Sequence, residues 1–417
     1  MSGTGLFDQA RGLTREQRNA FLAAWLGWAM DAFDFFLVVF VLSDIAKEFG
    51  ESTTTVAFLT TATLIARPIG ALFFGIWADK KGRRVPLMVD VLFYSAVEVL
   101  SGLAPTFTVL IILRFLFGLG MGGEWGLGAS LALEKIPAEK RGFWSGLLQQ
   151  GYPVGYLLAT VANFAITPTL GWRWLFILGA IPALIAFFIR TRVGESEAWE
   201  RTQERVELTQ VGPGKVFLQP KVLRRFLYLI VLMTLFNFMS HGTQDYVPTF
   251  LKQDLHAGTT AVTVIAVIYN IGAILGGAYF GALSERLGRR RTAAFCAMLG
   301  IPVAFLFAYS TALGLVTLGA FLLQVVVQGG WGVVPAHLAE LSPDEVRGFY
   351  PGVTYQLGNA FAAFVLPLQT LLAEHHGGSF ALAAVIVPVL ILTAIVLLLG
   401  PEAKGKVFGA REEETVR

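Results

Sequence analysis

The sequence predicts an all-α integral membrane protein of twelve transmembrane helices, built as two pseudo-symmetric six-helix halves. Three observations carry that expectation. Apolar residues make up 55% of the 417 residues and charged ones only 15%, against roughly 45–50% and 25% in an ordinary soluble domain. Apolar runs long enough to cross a bilayer recur along the chain, and the second half repeats the first in register. This composition excludes a soluble enzyme, a disordered chain and a disulfide scaffold, since Cys296 is the single cysteine and stands in an apolar run. The 45 glycines and 34 phenylalanines suit helices that approach closely in lipid and present aromatic surface to it.

Taken in order, the predicted spans lie near 20–43, 53–78, 86–103, 106–134, 141–168 and 171–191, then near 223–250, 259–284, 291–310, 312–340, 347–373 and 379–400. The two halves are therefore 1–191 and 223–400, with 192–222 a polar linker turning at Gly212-Pro213-Gly214 and 401–417 a tail. Residues 1–19 are polar and lack a cleavable signal pattern, so the amino terminus is expected to be retained. Counted loop by loop, 27 of the 32 Lys and Arg residues fall on the side that carries both termini. Only Lys47, Arg173 and Lys252 fall opposite, and Arg67 and Arg114 lie inside spans. The positive-inside rule then makes both termini cytoplasmic in a multi-pass protein of the plasma membrane.

A shift of 206 residues, without a gap, lays Gly75-x-x-x-Asp79-x-x-Gly82-Arg83-Arg84 over Gly281-x-x-x-Glu285-x-x-Gly288-Arg289-Arg290. The same shift matches Trp125 with Trp331, Glu134 with Glu340, Arg141 with Arg347, and Gln150 with Gln356. Two parallel six-helix repeats, each with a glycine-and-arginine turn after its second helix, resemble the major facilitator superfamily over the whole chain. Because the scaffold repeats them, Asp79, Arg83, Arg84, Glu134 and Arg141, with Glu285, Arg289, Arg290, Glu340 and Arg347, are expected to form ion-pair networks that close the cytoplasmic side.

Polar intramembrane residues that break the repeat are the functional candidates, because a charge in hydrocarbon is costly unless paired or hydrated. Under the shift Asp31 faces Asn237, Asp34 faces Ser240, Arg67 faces Ala273, Arg114 faces Ala320 and Glu124 faces Gly330. His241 and Asp245 in turn face Phe35 and Val39. In the seventh span Asn237, Ser240, His241, Gln244 and Asp245 fall within an arc of about 140° on a helix, a polar stripe toward a cavity. Being four apart, His241 and Asp245 can share a hydrogen bond or a proton. Arg67 sits roughly 18 Å above the turn at Asp79, near mid-membrane, where its planar fork could hold a carboxylate or bridge Asp31 or Glu124. Gln149, Tyr152, Gln328, Trp331 and Gln356 are further candidates to line the site, whereas Tyr94, Tyr269 and His337 read as core or interface. His375 and His376 lack neighbouring ligands, so no metal and no cofactor is expected.

Asn237-x-x-Ser240-His241-x-Thr243-Gln244-Asp245-x-x-x-Thr249 resembles the signature of the lactate/pyruvate:proton symporters of the sialate:proton symporter family. The resemblance implies short monocarboxylates as substrates and a proton-coupling role for His241 and Asp245. Arg114 resembles the fourth-helix arginine that, in sugar:proton symporters of the superfamily, pairs with a first-helix aspartate, which would make Asp34 its partner. Proton coupling is thus expected of Asp245, His241, Asp34, Asp31 and Glu124. Substrate binding is expected of Arg67, Arg114 and the stripe. The expected partners are a small organic acid, protons and the lipid bilayer, with no nucleic acid, for a monomeric protein. Sialic acid, a dicarboxylate or an aromatic acid are rival substrates, and a non-transporting metabolite sensor is the rival of another class.

Overall fold

The computed structural model describes residues 13–408 apart from 52, 192–193, 210–212 and 403. Every regular element among them is helical. The first half contains α1 (Arg15–Phe40), α2 (Leu42–Phe49), α3 (Thr53–Lys81), α4 (Arg84–Gly102), α5 (Phe107–Lys135), α6 (Arg141–Gln149), α7 (Gly151–Leu170) and α8 (Trp172–Thr191). Two further helices, α9 (Glu197–Thr209) and α10 (Pro213–Phe217), lead to the second half. There follow α11 (Pro220–Gly242), α12 (Val247–Gln253), α13 (Thr259–Leu287), α14 (Arg289–Tyr309), α15 (Leu313–Leu341), α16 (Tyr350–Ala362), α17 (Val365–His376) and α18 (Gly378–Leu399). Ten spans among the described residues are long and apolar enough to cross a bilayer, which makes this a multi-pass membrane protein.

Besides the first, which is interrupted at Val41 between α1 and α2, three predicted spans are broken. The fifth is α6 and α7, the seventh is α11 and α12, and the eleventh is α16 and α17. Each second piece carries a proline in its first turn (Pro153, Pro248, Pro367), where a missing N–H leaves no bond unmade, but where an uninterrupted helix would lose one. Pro68, Pro302, Pro335 and Pro388 are instead carried inside continuous helices. The break after Gly242 bends the polar stripe away from an ideal helix, although Asp245 N still donates to His241 O at 2.9 Å.

The polar stretch between the halves is also more structured than a linker. Glu195 accepts from the N–H groups of Arg83 and Arg84 at 3.0 and 3.1 Å and so caps α4. From α9, Trp199 Nε1 and Gln203 Nε2 both donate to Asp79 O at 3.1 Å.

The halves meet on the side of the termini. There α6 packs on α13 and α15, while α16 packs on α3 and α5. Small residues permit that approach: a Cβ on Gly146 would lie 2.4 Å from Gly277 O, one on Gly281 2.7 Å from Gly146 Cα, and one on Gly126 2.7 Å from Gly352 Cα. The doubled turn needs glycine for its backbone, with φ +94° at Gly82 and +92° at Gly288.

Candidate functional site

The doubled motif builds the closure as two mirror-image joints. Asp79, at the end of α3, accepts from Gly348 N at 2.6 Å and Phe349 N at 3.2 Å, at the amino-terminal end of α16 in the other half. Its mate Glu285 accepts from Gly142 N at the start of α6. Each carboxylate thus meets the positive end of a helix across the interface. Around them Arg83 bridges Asp79 at 2.6 Å and Glu134 at 3.3 Å, and Arg347 lies 3.6 Å from Glu134 and pairs with Asp344. Glu340 holds Arg289 at 3.0 Å and Arg141 at 3.1 Å, the latter from the opposite half. Two serines the sequence reading passed over also cross: Ser130 Oγ donates to Arg347 O at 3.0 Å and Ser145 Oγ to Gly332 O at 2.8 Å.

Arg84 and Arg290 do not cross the halves. Arg84 donates to Thr191 O at 2.8 Å and Arg290 to Gly400 O at 2.6 Å, each tying down the end of its own half. The tail adds Phe408, buried with its ring 3.7 Å from the Arg141 guanidinium and 3.8 Å from that of Arg347.

Beyond this closure the halves diverge toward the opposite side. A cavity of about 390 Å³ opens there, lined by Phe36 and Phe40 of α1, Thr60 of α3, Tyr152 and Tyr156 of α7, His241, Gln244 and Asp245. A small chamber of about 30 Å³ lies at its base and shares Phe35, Leu64, Tyr152, His241 and Gln328 with it. Asp31, Arg67, Gln149, Asn237, Ser240 and Trp331 complete its polar lining together with Tyr355 and Asn359. Tyr269, expected in the core or an interface, lies within hydrogen-bonding reach of Tyr156 across the halves and also lines the outer cavity.

An ion pair and a histidine–aspartate pair stand on opposite halves, with Asp31, Arg67 and His241 on the chamber and Asp245 on the outer cavity. On the first half Arg67 Nη2 donates to Asp31 Oδ1 at 2.6 Å, with the guanidinium 5.6 Å from the Phe35 ring. On the second, His241 Nδ1 is 2.9 Å from Asp245 Oδ2 and Nε2 is 3.1 Å from Asn359 Oδ1. Which ring nitrogen donates depends on the tautomer of His241. Gln244 donates to Gln324 at 3.1 Å, and Gln324 also donates to Thr243 Oγ1 at 3.1 Å, holding the carboxy-terminal end of α11 in place. Asn237 Nδ2 donates to Met233 O at 2.8 Å. Beneath the chamber Trp125 lies 4.5 Å from the Tyr355 ring centre.

Four predicted site residues lie off both cavities: Asp34, Arg114, Glu124 and Gln356. Arg114 is the clearest correction. It is fully buried, pairs with Glu98 rather than Asp34, donates to Ser101 Oγ at 3.0 Å, and lies over the rings of Phe117 and Phe176 at 4.1 and 5.1 Å. A guanidinium so enclosed on α5 cannot reach the substrate cavity. Asp34 is 1% exposed, and neither of its carboxylate oxygens has a hydrogen-bond partner among the described residues. Glu98 was missed although its signal was present: under the 206-residue shift it faces Ala304, so it too is an intramembrane charge that breaks the repeat. Gln356 is fully buried, and both its amide atoms lack a partner among the described residues. No group of three or more potential metal ligands occurs among the described residues.

A broken bundle whose two halves close on one face and leave a midplane polar chamber open to the other is the architecture of a transporter. The chain matches the Major Facilitator Superfamily over residues 24–253 and 246–416, and it belongs to that family. It is 29% identical over 393 residues to the carboxylic acid transporter protein homolog of Saccharomyces cerevisiae, covering 88% of this chain and 63% of that protein's length. With the sialic acid transporter NanX of Escherichia coli it is 28% identical over 401 residues, covering 94% of this chain and 96% of the relative. Among solved structures, the proton:xylose symporter XylE superposes with a TM-score of 0.76 at 19% identity, covering 94% and 98% of the two chains.

Proposed function

We propose that the chain is a proton-coupled symporter of small monocarboxylates, with lactate and pyruvate the leading substrates. In this reading both termini are cytoplasmic, the membrane is the plasma membrane, and the state described is open to the outside. Residues 1–191 and 223–400 rock about the midplane chamber, with 192–222 joining them, 401–417 a cytoplasmic tail, and Phe408 of that tail bracing the cytoplasmic closure. The observation that carries the reading is that the chamber is lined by a guanidinium, Arg67, from one half and by His241 from the other, with His241 Nδ1 2.9 Å from Asp245 on the adjoining outer cavity. Arg67 balances the charge of a bound carboxylate, and His241–Asp245 takes up the proton that accompanies it. The transporters of carboxylic and sialic acids among the relatives support an organic acid as cargo.

Uptake of radiolabelled lactate into proteoliposomes with an imposed inward proton gradient tests this. Gradient-driven accumulation is expected, and Asp245→Asn should abolish accumulation while sparing exchange. Wild-type accumulation in that variant would refute the coupling role, and binding without uptake would make the protein a sensor. A larger organic acid is the second reading, favoured by the outer cavity of about 390 Å³. Displacement of labelled lactate by sialic acid or benzoate as readily as by pyruvate would select it.

A further inference from the structure

The chamber lining includes buried donors that the protein leaves unpaired. Trp28 on α1 and Trp331 on α15 are each 3% exposed, both line the chamber, and neither indole N–H has a hydrogen-bond partner among the described residues. Their rings flank one side chain, Tyr355, at centroid distances of 6.2 and 5.8 Å. Arg67 contributes an unpaired Nε, its Nη2 being engaged by Asp31. Two other lining residues already have partners: Asn237 Nδ2 donates to Met233 O, and the ring nitrogens of His241 lie against Asp245 and Asn359.

A buried donor without an acceptor has lost its hydration and regained nothing. An indole N–H donates and cannot accept, so an oxygen acceptor is the group that satisfies it. The neighbouring guanidinium makes an anionic oxygen the better one.

We propose that Trp28 and Trp331 form an indole clamp that binds the substrate carboxylate, each donating its N–H to one carboxylate oxygen while Arg67 supplies the balancing charge. The proposal rests on the monocarboxylate reading and sharpens it. It moves the carboxylate from the α11 stripe, where Asn237, His241 and Gln244 already have partners, to a bridge between one residue of the first half and one of the second. The substituent at carbon 2 then faces Gln149, another lining residue, whose Oε1 is buried and unpaired. A carboxamide accepts from a 2-hydroxyl and donates to a 2-oxo group, so lactate and pyruvate both suit the chamber better than propionate, which offers neither.

The test removes the N–H and keeps an aromatic ring. Lactate and pyruvate binding to the full chain in nanodiscs is measured by calorimetry for wild type, Trp28→Phe, Trp331→Phe and Trp125→Phe, with thermal unfolding of each ligand-free protein. Trp125 is the control, since its indole N–H is likewise buried and unpaired but does not line the chamber. Kd should rise roughly tenfold or more in Trp28→Phe and Trp331→Phe and stay at the wild-type value in Trp125→Phe. Should the smaller ring unfold the protein, 3-benzothienylalanine at 28 or 331 keeps the bicyclic shape without the N–H, and the same rise is expected. Wild-type affinity in both clamp variants, or an equal loss in the Trp125 control, overturns the clamp alone. A wild-type protein that binds no monocarboxylate overturns the clamp and the monocarboxylate reading together.

Discussion

The two ends of the interface between the halves treat polar groups in opposite ways. On the side of the termini Asp79, Glu285 and Glu340 are each held by several donors, and each makes a contact across the halves. Toward the cavity, Asp34, one oxygen of Asp31, Arg67 Nε and the indoles of Trp28 and Trp331 have no partner among the described residues. The joint matches each of its buried carboxylates with a guanidinium or a helix end, although Arg83 Nε and Glu134 Oε2 there lack a hydrogen-bond partner among the described residues, and breaking such a pair leaves a buried charge uncompensated. Unsaturated groups make a site whose most favourable state includes something else, a proton or an anion. A transporter needs both, and the repeat supplies only the first: the joint residues obey the 206-residue shift, while Asp31, Asp34 and Arg67 break it.

The largest expected effect falls on the joint. Glu340→Ala leaves Arg141 and Arg289 buried without their shared carboxylate, at a cost of about 3–5 kcal/mol. The variant should unfold at lower denaturant and expose the terminal side to a membrane-impermeant thiol reagent directed at a cysteine placed there. Unchanged stability and unchanged labelling would show that the closure does not depend on the ion pairs.

Packing at the same joint comes next. Gly146→Val puts a Cβ 2.4 Å from Gly277 O and 3.1 Å from Gly281 Cα, an overpacking cost of about 1–3 kcal/mol. The halves should separate on the terminal side, read as longer spin-label distances by double electron–electron resonance. Distances equal to wild type would mean that α6 and α13 tolerate the added bulk. Smallest of all should be the stability change on the unsaturated side. In Asp34→Asn a buried, unpaired carboxyl is exchanged for a neutral amide of the same shape, so the midpoint of thermal unfolding should hold or rise even where transport is lost. A fall as large as that of Glu340→Ala would erase the distinction between the two ends.

Much of the chamber was legible from the chain. Arg67, Asp31, His241 and Asp245 declare themselves as ionisable residues in apolar runs that the repeat does not demand, and the structure places the first three on the small chamber and Asp245 on the outer cavity that adjoins it. Arg114 met the same criterion, but its partner was assigned by family resemblance rather than by asking which other intramembrane charges lacked a mate. Glu98, sixteen residues away on α4, was that mate. Gln356 looked equivalent to the chamber residues because residue type says nothing about which way a buried amide faces.

By itself the sequence determined what depends on composition and order along one chain: a membrane protein, its two repeated halves, and which residues are too polar for lipid to leave unexplained. Hydropathy and period are local quantities, summed over a turn or a span, so one dimension carries them. Only the tertiary structure decided which prolines break a span, which charges are matched and which donors are left over. Those outcomes depend on neighbours far apart in sequence, as with Gly348 N and the Asp79 carboxylate, separated by 269 residues yet 2.6 Å apart. Whether a buried polar group joins the latch or serves the site is settled by what stands within about 3 Å of it.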